Sequence, residues 1–194
     1  MSLLSQWLGT ARSVILSPSE TLESESRDSG FGYPFKFMLV SLAFAGVLNT
    51  AARAASAATT PGLTASAADL GLYFVGSVVG GPVVLALIAG LIHVFAYLLG
   101  ARKGYSRTLA AISYGTAVAP VAALFTLGSA VLPLLGILSA LISLWALQIQ
   151  ARGIQHFHGI SVNRATLAVL MPLIIVVVVA WAAVFVAFQS LMAA

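Results

Sequence analysis

The chain has 194 residues, 60% hydrophobic and 7% charged, with a net charge of +4. Soluble domains carry about 25% charged residues, so this composition excludes a water-soluble globule and requires a chain that offers apolar surface to lipid. With no cysteine, disulfides, thiolate metal sites and thiol catalysis are excluded as well. The nine Lys and Arg stand singly or in small groups at the ends of apolar runs. Nucleic-acid binding needs a continuous basic face, and none exists here.

The first segment places Leu4, Trp7, Leu8, Ala11, Val14 and Ile15 at helical spacing, with Ser5, Gln6, Arg12 and Ser13 on the other side. This pattern predicts an amphipathic helix that either lies in the headgroup region with Trp7 inserted or packs on the bundle. Arg12 interrupts the segment and an acidic stretch follows, unlike a cleavable secretory signal, so the first span is expected to act as its own signal. Ser17-Pro18-Ser19-Glu20 has the chemistry of a helix start and capping box and opens a predicted helix over 18–27. That helix and its end hold Glu20, Glu23, Glu25 and Asp28, four of the five acids in the chain. They form a solvated acidic face and are the candidate contacts for a basic partner.

Five apolar stretches follow, over about 37–55, 70–99, 109–127, 130–149 and 165–192. Each is long enough to cross about 30 Å of hydrocarbon at 1.5 Å per residue. Gly80-Gly81-Pro82 predicts a break in the second; Pro120 and Pro172 predict bends in the third and fifth. With five spans, one side receives Arg12, Arg27, Lys36, Arg102, Lys103, Arg107, Arg152 and Arg164, and the other only Arg53. The basic side is cytoplasmic by the positive-inside rule, which puts the N-terminus inside and the C-terminus outside. The expected fold is all-α: a 1–34 amphipathic and acidic helical arm, then a five-helix transmembrane domain over 35–194.

Few residues could carry chemistry. Asp69 is the only acid outside the arm and suits the N-terminal cap of the second span. Paired carboxylates and an activated nucleophile are missing, so no enzyme and no cofactor is expected. His156 and His158 are two imidazoles without a third ligand, so no metal is assigned; they are expected in a polar loop over 150–164. His93 lies inside the second span, where a neutral imidazole bonded to a facing helix is the simplest reading. Asn49 and Arg53 share a face of the first span, and with Tyr114 they are the intramembrane polar candidates. Gly76 and Gly80 form a GxxxG, with Ala43, Gly46, Gly90, Gly115 and Gly136 as further close-approach sites. Tight packing within the chain is the expected use, homodimerisation the other. Arg102, Lys103, Arg107, Arg152 and Arg164 are the candidates for anionic lipid.

Three features together resemble the Yip family of five-span membrane proteins. They are the Ser17-Pro18 arm with its acidic helix; Tyr105-Ser106-Arg107 with Tyr114 and Pro120; and Trp145, Gly153-Ile154-Gln155-His156, Ser161 and Arg164-Ala165. Phe31-Gly32-Tyr33-Pro34-Phe35 is similar in content to the family's aromatic motif before the first span. The chain looks most like the short prokaryotic members, which implies a prokaryotic plasma membrane. The resemblance implies a non-enzymatic scaffold that organises membrane, anionic lipid or a cytoplasmic protein partner, the family's small GTPase being the type. The alternative is a small transporter or channel with a polar cavity between kinked helices.

Overall fold

The computed structural model describes residues 2–27, 30–60, 62 and 64–193. Seven helices account for nearly all of these, and no strand occurs among the described residues. The arm forms α1 (Leu3–Leu16) and α2 (Pro18–Arg27). Then come α3 (Gly32–Thr59), α4 (Ala67–Leu98), α5 (Tyr105–Ser129), α6 (Leu134–His158) and α7 (Val162–Ala193). The five from α3 to α7 are long and apolar enough to cross a membrane.

Proline decides where the long helices change their winding. In α4 the stretch Gly76–Gly80 widens to π geometry, and the Gly81 N–H reaches back to the Gly76 carbonyl. Pro82 follows directly. It brings no N–H and crowds the preceding turn, and the wider turn absorbs both effects. In α5 the turn Thr116–Val118 tightens to 3-10 geometry just before Pro120. There the Thr116 hydroxyl donates to the Ser113 carbonyl at 2.6 Å. α7 stays helical through Pro172.

The expected loop over 150–164 does not exist. α6 continues to His158, and only Gly159–Ser161 joins it to α7. Ala151, Ile154 and Phe157 recur at helical spacing and are buried, so the polar residues between them decorate a helix with a packed face. Gly159 ends the helix at φ 71°, a left-handed conformation that glycine adopts without steric cost.

Asp69 caps α4 as predicted. Its carboxylate accepts from the Ser66 backbone N–H at 3.0 Å, and the Ser66 hydroxyl accepts from the Asp69 N–H at 3.1 Å. Asp69→Ala should weaken this cap. The loss should appear as faster amide exchange over the first turn of α4, with the rest of the bundle unchanged.

Packing is concentrated at one end. The most apolar window of α5 is 67% buried, against 11% for those of α4, α6 and α7. α5 is therefore the axis, and the outer helices turn side chains such as Leu87, Leu141, Leu144 and Trp181 outward. The core runs through Phe37, Ile92, Ile112, Tyr114, Ile154 and Phe157, and Trp7, Ala11, Val14 and Leu22 of the arm join it. It lies where the arm, the α4–α5 turn and the α6–α7 turn gather, the end that carries eight of the nine basic residues. We call this the basic end.

The glycines separate into two kinds. At Gly153 an added Cβ would stand 2.8 Å from the Ala111 Cβ and 3.1 Å from its Cα, so α5 and α6 approach backbone to backbone. At Gly76 and Gly80 an added Cβ would meet nothing within 4 Å. The GxxxG therefore does not serve close packing within the chain, contrary to expectation.

Candidate functional site

Several polar residues from distant parts of the chain meet at the basic end. Trp7 of α1 stacks on Phe44 (centroids 5.0 Å apart, planes at 18°), and its indole N–H donates to the Ser41 hydroxyl at 2.9 Å. Ser41 lies nine residues into α3, about 14 Å along the axis at 1.5 Å per residue. α1 thus sits well down the bundle rather than on its rim. Leu4, at its start, borders an apolar recess with Val40, Phe44 and Val47. At its other end the Ile15 carbonyl accepts from the Trp145 indole at 3.2 Å. Thr10 and Tyr33 share a hydroxyl–hydroxyl bond of 2.7 Å.

Three faces follow from this placement. Trp7, Ala11 and Val14 point into the core; Leu4 and Leu8 are 56% and 63% exposed; Ser5, Gly9, Arg12 and Ser13 form the polar side. The expected amphipathic helix is present, and it packs on the bundle.

α2 closes over α5 and α6. Leu22 is fully buried. The Ser19 hydroxyl bonds His156 Nε2 at 3.0 Å, and the Arg107 guanidinium donates to the Ser26 carbonyl at 3.0 Å. At the centre, the hydroxyl of Tyr114 donates to the carboxylate of Glu25. Tyr114 is 1% exposed and packs between Phe37 and Phe157. Glu25 is thus turned inward, whereas Glu23 faces out and pairs with Arg27 at 2.7 Å. Glu20 is exposed beside Trp145, Gln148 and Arg152. Asp28 lies outside the described residues.

His93 bonds a facing helix, as anticipated, and the partner is Thr108 of α5, 2.8 Å from its Nδ1. The same hydroxyl is 2.8 Å from His158 Nε2. One hydroxyl proton serves at most one ring, so at least one ring donates to the Thr108 oxygen. The arrangement joins α4, α5 and α6 through two imidazoles. Tyr105, edge-on to His93, donates to the Ala86 carbonyl at 2.7 Å.

The basic residues divide by duty. Arg107 clamps α2, and Arg152 donates to the Gln155 side chain at 3.1 Å. Arg102 lies over the Tyr97 ring at 4.5 Å, and it, Lys103 and Arg164 are exposed around the rim. Asn49 and Arg53 are elsewhere, lining a cavity of about 290 Å³ at the opposite end. Ser19, Ser41 and Thr108 were missed by sequence reasoning. Each is a lone hydroxyl whose partner is remote in the chain, so no local signal marks it.

The family model of the Yip1 domain matches residues 12–184. The chain belongs to the Yip1 domain family. The match begins inside α1 and takes in α2 and every long helix through most of α7. No curated protein and no solved structure matches the chain. Within this Yip1 domain, the positions that carried the resemblance sit at structural joints. Tyr114 receives Glu25, Trp145 holds Ile15, Gly153 meets Ala111, and Pro120 opens the second half of α5. The Ser161 carbonyl accepts the Ala165 N–H where α7 starts.

Proposed function

We propose that this Yip1 domain is a non-enzymatic membrane organiser. Its N-terminus and basic end face the cytoplasm, and its arm acts as a wedge in the inner leaflet. The observation that carries this reading is the partition of α1: one face is buried in the bundle, while Leu4 and Leu8 remain exposed, Leu4 beside Val40, Phe44 and Val47 of the first span. In a bilayer those leucines meet acyl chains, and burying each contributes about 1.5–3 kcal/mol. Arg102, Lys103 and Arg164 ring the same end, where each basic residue near an anionic leaflet adds about 1 kcal/mol. For a cytoplasmic protein partner, the surface on offer is the outer face of α2, with Glu20, Glu23 and Arg27 exposed. Transport through the basic end is disfavoured, because Tyr114 is enclosed by Glu25, Phe37 and Phe157, and His93 is engaged by Thr108.

Reconstitution into vesicles with and without phosphatidylglycerol tests the proposal. The protein should shrink or tubulate anionic vesicles, with less effect on neutral ones. Leu8→Glu should abolish the change while the chain remains inserted. Equal vesicle morphology with the wild type and with Leu8→Glu would remove α1 from the account.

A further inference from the structure

A second site stands at the opposite end of the bundle, independent of the arm. Its mouth is the cavity of about 290 Å³ bordered by Asn49, Arg53, Tyr73, Thr126 and Ser129. Arg53 lies over the Tyr73 ring at 5.5 Å and has no ion pair among the described residues. Asp69, the nearby carboxylate, is engaged by Ser66 in the cap of α4. Thr126 donates to the Ala122 carbonyl and Ser129 to the Thr126 carbonyl. Arg53 and Asn49, one turn apart on the same face of α3, are the charged and amide donors of the mouth, with the hydroxyls of Ser56, Thr64 and Tyr73 beside them.

The mouth continues into apolar space. Asn49 and Thr126 also border a recess of about 360 Å³ that reaches Leu42 and Ser77. Leu42 and Ser77 in turn border a trough of about 700 Å³, along with Leu72, Gly76, Gly80 and Val84, and Tyr73 belongs to both mouth and trough. Gly76 and Gly80 have open space where a side chain would be, so the trough exists because the GxxxG faces it. Each compartment is about the size of, or within, the range of ligand pockets, about 300–1,000 Å³.

A guanidinium near the edge of the hydrocarbon favours an anionic partner, and its planar fork matches phosphate oxygens. The trough shares Tyr73 with the mouth and Leu42 and Ser77 with the recess beside Asn49, and its apolar lining suits an acyl tail. We infer that this face holds one anionic phospholipid, its phosphate on Arg53 and Asn49 and an acyl chain along Gly76, Gly80 and Leu42.

The test is retention of phosphatidylglycerol by the full chain in detergent, read by native mass spectrometry. The variants are Arg53→Ala, Arg53→Lys and Gly80→Leu, each checked for an unchanged elution profile. The wild type should retain one lipid and prefer it to phosphatidylcholine. Arg53→Ala should weaken retention about tenfold, the loss of one charge-assisted contact. Gly80→Leu should displace the lipid by filling the trough, and Arg53→Lys should recover part of the affinity. Equal retention by all four proteins would mean adventitious annular lipid only and overturn the inference. Binding of inorganic phosphate that depends on Arg53, with no lipid retained, would assign a free anion instead. A disulfide-linked dimer formed by Gly80→Cys would place a second copy in the trough and equally overturn it.

Discussion

Gly153→Val should destabilise the bundle by about 3 kcal/mol, the upper end of the usual cost of overpacking. A Cβ at Gly153 would lie 2.8 Å from the Ala111 Cβ, 3.1 Å from its Cα and 3.3 Å from its carbonyl oxygen. Most of that contact is backbone, which cannot swing aside as a flexible side chain can, so α5 and α6 must part. Their separation would propagate, because Thr108 and Tyr114 flank Ala111 by one helical turn on either side. Those two residues carry the links to His158 and Glu25. Thermal unfolding in detergent should therefore fall sharply for Gly153→Val. Gly71→Ala is the control, since a Cβ there meets nothing within 4 Å and replacing a helical glycine adds up to about 1 kcal/mol. Equal melting of wild type and Gly153→Val would mean that the helices are not in close contact at that point.

Tyr114→Phe should release the acidic helix without unfolding the bundle. The phenyl ring still fills the space between Phe37 and Phe157, but the Glu25 carboxylate loses its donor while held under α2. A charge-assisted bond of this kind is worth about 2 kcal/mol, or about 30-fold in the undocked population. Trypsin cleavage after Arg27, measured while the arm opens and recloses rapidly, should accelerate by a similar factor. Glu25→Gln, which can still accept a hydrogen bond, should fall between wild type and Tyr114→Phe. Unchanged cleavage in both variants would show that Leu22, Ser19 and Arg107 hold α2 without help from this bond.

Much of the fold is legible in the sequence for simple reasons. An uninterrupted apolar run of about 20 residues has few fates other than a span, and five such runs correspond to α3 through α7. Ser17-Pro18 starts a helix by its chemistry alone, and α2 begins at Pro18. The cap by Asp69 and the breaks before Pro82 and Pro120 are likewise local effects of single residues. Reading failed where the deciding partner was distant. The stretch 150–158 contains Gln150, Arg152, Gln155, His156 and His158 and so resembles a loop. Its helical face is evident only once Ala151, Ile154 and Phe157 are seen against α5 and α2. The same limit hid the duty of Glu25. Nothing in the order Glu20, Glu23, Glu25 distinguishes the carboxylate that turns inward, although Leu22 and Glu25, three apart, share a helix face. Depth was also hidden, because the face of α1 that packs and the face that meets lipid are both apolar. The GxxxG misleads in the opposite sense: it reads as a packing motif, whereas Gly76 and Gly80 line open space, while Gly46 and Gly115 are close-packed as expected and the backbone-to-backbone contact is at Gly153.

The most direct measurement of the central claim is the depth of α1. The chain has no cysteine, so single nitroxide labels can be placed at Leu8→Cys and Ser13→Cys without further engineering. In liposomes, the label at position 8 should collide with oxygen dissolved in the acyl region and be shielded from a water-soluble nickel chelate. The label at position 13 should show the reverse. If the chelate reaches both positions equally, α1 lies in water and the membrane-wedge account is wrong.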